Sequence, residues 1–179
     1  MKKIVIVFGL ISGLVLAGMG LYAANLLYYH PEKFSRNDVL GYAALIVAFS
    51  FIFVGIKSYR DKRNQGIISF GKAFKIGLLI TLIASSMYVG VWLVDYYIFI
   101  PDFLEKYIDF AIKGTIDSGA SQAEINDKIK ELADYREWYK NPVFVILLTY
   151  MEVFPIGLAI SLISALLLKR KTSKLVPAQ

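Results

Sequence analysis

A basic segment that runs directly into a long apolar stretch limits most strongly how this chain can fold. Residues 57–75 contain six lysines or arginines and one acid, and the apolar stretch extends from Phe70 to Ile100. A helix of about 20 apolar residues crosses the hydrocarbon core of a bilayer, which is about 30 Å thick. Because lysine and arginine collect on the cytoplasmic side of such helices, this part of the sequence predicts a transmembrane helix that enters the bilayer from the cytoplasm.

Three other apolar stretches have a similar length, in a chain of 179 residues of which 57% are hydrophobic. The first is longer than the apolar part of a signal peptide, which has about 7 to 15 residues, and we therefore interpret it as a transmembrane helix. The predicted transmembrane helices are residues 4–29, 39–56, 70–100 and 143–168. The predicted fold is thus an all-α integral membrane four-helix bundle, with residues 1–179 forming one membrane domain.

Charge is distributed unequally between the two ends of the predicted helices. Twelve of the 20 lysines and arginines lie in the amino terminus, in residues 57–75 and after residue 168, where the only acid is Asp61. Segments 30–38 and 101–141 hold the other eight, together with 11 acids. The positive-inside rule then predicts that both termini are cytoplasmic and that residues 101–141 lie on the opposite side.

Residues 101–141 form the longest polar region, and their apolar residues recur at helical spacing. Gly119 favours a left-handed helix stop, and Ser121 with Glu124 three residues later has the pattern of a capping box. We expect two amphipathic helices, one on each side of Gly119, whose apolar faces pack together. The prediction is an extracytoplasmic helical hairpin between the third and fourth transmembrane helices.

Small or hydroxylated side chains recur at every fourth position in each predicted transmembrane helix. This spacing allows two helix backbones to approach closely in lipid. The residues are Gly9, Gly13 and Ala17; Ala44 and Ala48; Gly77, Thr81 and Ser85; and Gly157, Ser161 and Ala165. We expect these faces to be sites of close helix packing.

One acid, Glu152, lies in the middle of the fourth apolar stretch. Charged groups at this depth are costly and usually face the interior of a bundle or a water-filled cavity. If the lysines at the helix ends share one level, Glu152 lies about 25 Å from that level by helical rise. The polar or aromatic residues predicted to lie near it at this depth are Tyr22, Asn25, Tyr42, Tyr88 and Trp92.

Two roles for Glu152 remain open. It either couples to a proton, an ion or a ligand, or it is a protonated glutamic acid whose hydrogen bonds fix the register of the helices. Another acid, Asp95, is about twenty residues past Lys75 and should reach the opposite headgroup region. A carboxylate costs little there, and we expect no special role for it.

The basic segment has two interpretations, and both place its apolar residues in the membrane interface. It either binds anionic lipid headgroups, or it only sets the topology of the chain. The candidate lipid contacts are Lys57, Arg60, Lys62, Arg63, Lys72 and Lys75. Ser69 is placed to cap the helix that follows.

The sequence contains no cysteine and one histidine, His30. Disulfides, iron–sulfur clusters and thiol catalysis are excluded, and histidine-rich metal sites cannot form. We find no pattern typical of catalytic residues, a metal site or a cofactor site. The basic residues are divided among the membrane edges, which argues against nucleic-acid binding.

The favoured hypothesis is therefore a non-enzymatic membrane protein that acts through packing. Its partners would be a second copy of itself, another membrane protein or anionic lipids in the bilayer. The alternative is a small carrier or channel in which Glu152 is the protonatable group.

Several segments resemble one family of bacterial membrane proteins, and together they cover nearly the whole chain. They are residues 59–62, 66–77, 101–106, 151–158 and 161–165. The family is catalogued as domain of unknown function 4199, and many of its members have Gly-Gly where this chain has Gln65-Gly66. The resemblance implies a four-helix protein of the bacterial inner membrane with an extracytoplasmic insertion. It implies no activity and no functional residues.

Overall fold

A computed structural model describes residues 1–34 and 38–170 of the chain. Helices make up almost all of the described residues, which confirms the all-α fold class. They are α1 (Lys2–Tyr29), α2 (Asp38–Arg63), α3 (Phe70–Val94), a π-helical turn (Asp95–Phe99), α4 (Phe103–Asp117), α5 (Gln122–Tyr139) and α6 (Pro142–Leu168).

Four of these helical stretches are long and apolar enough to cross a membrane. They are Lys2–Tyr29, Val39–Arg63, Phe70–Phe99 and Pro142–Leu168. Their number and positions agree with the hydropathy of the sequence and indicate a membrane protein.

Helix α2 is longer than its apolar stretch, because it continues from Ile56 to Arg63. Charged side chains do not interrupt a helix, so the fall in hydropathy at Lys57 marks a change of environment and not a helix end. Ser69 caps α3 as predicted, since its side chain accepts a hydrogen bond from the Lys72 amide.

One apolar residue of the turn between α2 and α3, Ile68, packs on protein, which differs from its predicted interfacial location, whereas Phe70 is exposed. Ile68 is only 1% exposed. Its backbone pairs in antiparallel fashion with Arg170, through hydrogen bonds of 3.1 and 2.8 Å. Arg170, directly after Lys169 at the end of α6, therefore contacts this turn.

Helix α3 packs against both α1 and α6, and α2 contacts all three of these helices. We call the half of the bundle next to residues 57–75 the basic half, and the half next to α4 and α5 the distal half. Most of the main apolar core lies in the basic half. Its fully buried side chains include Phe49, Ile52, Ile56, Ile76 and Ile80.

Small residues allow the close approach of helices within the chain, which confirms the expected packing role of the glycines. A Cβ atom added to Gly9 would lie 2.8 Å from the Ile83 side chain. One added to Gly157 would lie 2.5 Å from Cγ2 of Thr81. The glycine spacings are therefore explained by contacts between α1 and α3 and between α3 and α6, without a partner.

Helices α4 and α5 contact each other next to the distal half. Gly119 between them has a φ of +77°, as predicted for a left-handed stop. The capping box at Ser121 and Glu124 is present in full. A small apolar cluster that includes Leu104 and Leu132 joins the two helices.

Candidate functional site

The distal half of the bundle is open beside α2. Residues 39–47 form the distal part of this helix, and none of them is buried. Val39 is 76% exposed and Tyr42 60%, whereas Ala48 and Phe49, which follow directly, are fully buried. The same helix thus changes from exposed to buried near its middle.

Glu152 lies on α6 at the edge of the buried face that contains Thr149 and Val153. Its side chain is accessible from outside the bundle although protein atoms crowd around it. The carboxyl is close enough to the hydroxyls of Tyr88 and Tyr139 to act on both electrostatically.

The two tyrosines come from different helices. Tyr88 lies on α3, and its ring occupies the space that a side chain at Gly20 of α1 would need, since a Cβ atom added there would lie 2.6 Å from the ring. Tyr139 is the last residue of α5, outside the apolar spans. Burial, and then the nearby Glu152 carboxyl, raise the pKa of the Tyr139 hydroxyl.

The other residues predicted near Glu152 lie in different surroundings. Tyr22 and Tyr42 are strongly exposed. Trp92 packs on Tyr96, with ring centroids 5.8 Å apart. Asn25 donates both of its amide hydrogens to groups other than Glu152. The structure therefore brings Glu152 close to Tyr88, and adds Tyr139, for which helical depth gave no signal.

Asp95 is a second acid of interest, although the sequence analysis expected no special role for it. Its side chain is buried, with 6% of its surface exposed. Nδ2 of Asn25 donates to Oδ2 of Asp95 at 3.2 Å and to the Leu21 carbonyl at 2.9 Å. By helical rise, Asn25 lies about as far above Lys3 as Asp95 lies above Lys75. This similarity in depth could have predicted their contact.

The backbone changes at Asp95. Its carbonyl accepts a hydrogen bond from the Ile100 amide at 2.9 Å, five residues ahead, which is the pattern of a π-helix. The π-helical turn begins at this acid and ends at Phe99. One extra residue in the turn rotates the positions after Asp95 relative to a regular α-helix.

A cavity of about 490 Å³ lies beside Asp95, between α1 and α3. Its lining is almost entirely apolar, with Asp95 as the charged member. The lining residues are Leu21, Ser86, Met87, Gly90, Val91, Val94, Asp95 and Phe99. At its deeper end, the Ser86 hydroxyl is 2.6 Å from the hydroxyl of Tyr150.

A second cavity, of about 350 Å³, lies among α4, α5 and the π-helical turn. Its charged residues are already paired within the chain. Arg136 donates two hydrogen bonds to Glu105, at 2.9 and 2.5 Å, and this carboxylate raises the pKa of the guanidinium. Asp102 accepts a hydrogen bond from Tyr28, which lowers the pKa of its carboxyl. The first cavity is therefore the better candidate for a ligand.

The basic residues lie at the opposite end of the bundle. Lys57, Arg60, Lys62 and Arg63 occupy the last turns of α2, whereas Lys72 and Lys75 lie in the first turns of α3. Arg60 is engaged within the chain, because it pairs with Asp61 at 2.6 Å and donates to the Leu168 carbonyl at 3.4 Å. Lipid contact by this set stays a prediction.

Comparison with known proteins gives one match. A family described as "Protein of unknown function (DUF4199)" matches residues 6–170. No curated protein and no solved structure matches the chain. In the described ranges 1–34 and 38–170, no three His, Cys, Asp or Glu side chains are grouped as metal ligands would be.

Proposed function

The chain belongs to the DUF4199 family of proteins of unknown function, and from that premise we propose a multi-pass protein of the bacterial inner membrane that binds a membrane partner without catalysis. The observation that carries the proposal is the accessibility of Glu152 in the distal half, where residues 39–47 of α2 are also not buried.

The proposed topology follows the charges. Both termini are cytoplasmic, the basic half faces the cytoplasm, and α4 and α5 form a hairpin on the other side. A cysteine introduced at Gly119 tests this, because the chain has no other cysteine. We expect a membrane-impermeant maleimide to label it in intact spheroplasts, and protection until the cells are lysed would contradict the topology.

A partner would remove the free-energy cost of placing Glu152 in the apolar part of the bilayer. An acid within the apolar part of a bilayer is costly unless it is paired or faces water. Within the described residues Glu152 accepts no hydrogen bond and forms no ion pair, although Tyr88 and Tyr139 lie near it. A transmembrane helix with a hydrogen-bond donor, packed along the exposed part of α2, would supply the missing contact.

The test is photocrosslinking in the membrane from two positions on α2. Ile46 is 56% exposed in the distal half, and Val54 is 45% exposed in the basic half of the same helix. With a photoreactive phenylalanine at each site, we expect protein adducts from position 46 only, reduced when Glu152→Leu is added. Equal yields at both positions, or a yield that does not depend on Glu152, would contradict the proposal.

A carrier or channel is the second candidate, and one further observation favours it. Thr81, Ser85 and Tyr88 follow one another on the same face of α3, and Thr81 Oγ1 lies 3.0 Å from Oγ of Ser161. Ser85 is fully buried and its hydroxyl has no hydrogen-bond partner among the described residues. These hydroxyls extend from the level of Glu152 towards the basic half.

Flux measurements distinguish the two candidates. For a carrier or channel, reconstituted vesicles should show a proton flux that Glu152→Gln abolishes, with Tyr150→Phe as the control on the same helix. For a binding protein, we expect no flux in either variant or in the parent protein.

A further inference from the structure

We propose that the cavity between α1 and α3 binds an acyl chain of one phospholipid, whose primary ammonium headgroup is held by Asp95 and Asn25. Phosphatidylethanolamine has this chemistry. The inference rests on the proposed membrane location of the chain, but it does not depend on a protein partner or on Glu152.

Asp95 has no counterion among the described residues. Asp95 is almost completely buried, and the described residues contain no cation that pairs with it. Asn25 provides a neutral hydrogen bond, and both of its amide hydrogens are used. A buried carboxylate is stable only if it is paired as well as hydrogen-bonded. The acid therefore has the surroundings expected of one whose cation comes from outside the chain.

A primary ammonium group fits the atoms that remain. It has three N–H donors, and the site offers acceptors in the carboxylate of Asp95 and in Oδ1 of Asn25. A quaternary ammonium headgroup has no N–H to donate, and an anionic headgroup would be repelled by the carboxylate. The chemistry of the two side chains thus selects one headgroup class.

The backbone forms a π-helical turn that begins at Asp95. Single π-helical turns are rare and often occur at functional sites. Here the turn starts at the buried acid that lines the larger of the two cavities. Pro101 follows the turn directly and ends the helix, because it has no amide hydrogen and disfavours helical geometry at Ile100.

The depth and shape of the cavity match those of one lipid in the distal leaflet. Asp95 is about 30 Å above Lys75 by helical rise, at the level of the distal headgroups. The apolar lining extends from Asp95 down to Ser86, nine residues or about 13 Å along α3. This is close to the half-thickness of the hydrocarbon core, about 15 Å. One end of the groove therefore matches a headgroup and the rest matches a chain.

Gly90 provides the space for that chain. A Cβ atom added there would meet no atom within 4 Å, although the residue lies in the middle of the lining. A leucine at this position fills the groove without a clash. Gly18 of α1 also has open space around it and does not line the cavity, so Gly18→Leu is the matched control.

The experiment is native mass spectrometry of the full chain released from nanodiscs. The discs contain phosphatidylethanolamine, phosphatidylcholine and phosphatidylglycerol with identical chains. We expect one retained lipid, with phosphatidylethanolamine preferred about tenfold or more, as a charge-assisted hydrogen bond implies. Asp95→Asn should remove this preference, Gly90→Leu should remove the lipid, and Gly18→Leu should behave as the parent protein.

Each contrary result has one meaning. If Asp95→Asn still prefers phosphatidylethanolamine, the proposed headgroup site is wrong. If Gly90→Leu still retains a lipid, the proposed binding of an acyl chain in the groove is wrong. If Gly90→Leu does not fold, Leu21→Trp closes the groove from α1 and gives the same test. A lipid-free dimer would assign the groove to a second copy and overturn the inference. Labelling at residue 119 separates these failures from failure of the proposed topology.

Discussion

One face of the basic half of α2 is buried against its neighbours, whereas the distal half of the same helix has no buried residue. Ala48, Phe49, Ile52 and Ile56 have no accessible surface, but residues 39–47 include no buried side chain. The glycine contact between α6 and α3 at Gly157 lies near the boundary between the two halves. Helix α2 is therefore held to the bundle mainly through its basic half.

The polar groups follow the opposite distribution. Asp95, near the end of the third span, and Glu152, within the fourth, both lie in the distal half; Asp95 lines a cavity, and Glu152 is accessible from outside the bundle. Close packing excludes water and lipid, so a binding site requires space that a packed core does not provide. The residues that hold α2 in the bundle and the two acids that could bind a ligand thus lie in different halves.

The largest expected effect comes from filling the closest helix contact. Gly157→Leu places a side chain 2.5 Å from Thr81 Cγ2 and 2.8 Å from Phe49, and α3 and α6 must separate. We expect a loss of at least about 3 kcal/mol, the upper end for overpacking, or no folding. Gly41→Leu in the distal half, where a Cβ meets nothing within 4 Å, should be tolerated. Unfolding in dodecyl maltoside titrated with dodecyl sulfate measures both.

A cavity in the basic half should cost nearly as much. Phe49→Ala removes a fully buried ring, and we expect about 3 kcal/mol of lost stability. Tyr42→Ala, on the exposed part of the same helix, should change stability by less than about 0.5 kcal/mol. Similar losses for the two variants in the same titration would mean that the two halves do not differ.

A smaller effect is expected at the hydrogen bond between Thr81 and Ser161. Thr81→Val removes one hydroxyl and leaves the other buried, and such bonds average about 0.6 kcal/mol in membrane proteins. Adding Ser161→Ala should restore part of the loss, because no hydroxyl is then left without a partner. A double variant that loses the sum of both single effects would rule out an interaction between them.

The smallest effect is expected outside both halves, at the start of α5. The Ser121 amide and hydroxyl donate to the Glu124 carboxylate and lower its pKa. The stabilisation is then complete above the ordinary pKa of 4.5 and is lost as the pH falls through the lower, folded value. NMR exchange rates of the Ala123 and Ile125 amides should rise below pH 4.5, relative to Glu124→Gln. Equal rates at every pH would contradict this.

Local sequence signals predicted the helices and their caps well. Gly119 and the pair Ser121 and Glu124 act through neighbouring backbone atoms, so their patterns carry the full information. The end of α2 was placed too early, because hydropathy reports where a helix leaves an apolar environment. Backbone hydrogen bonds continue to Arg63 regardless of that change.

The candidate sites were predicted only in part, since helical rise gives depth but not direction. Depth placed Tyr88 and Asn25 at one level with Glu152, yet Asn25 faces Asp95. The π-helical turn changes the rotation of the chain after Asp95, and residue identity alone does not reveal such a turn. Tyr139 reaches Glu152 from α5, a contact that depends on how two separate helices meet.

The pairing of Ile68 with Arg170 fixes the basic end of the bundle mechanically. It joins the turn before α3 to the end of α6, and Arg60 of α2 also donates to the Leu168 carbonyl at 3.4 Å. A rod held at one end is displaced most at its other end. Bending of α2 should therefore have its greatest amplitude at residues 39–47, where the helix has no buried residue.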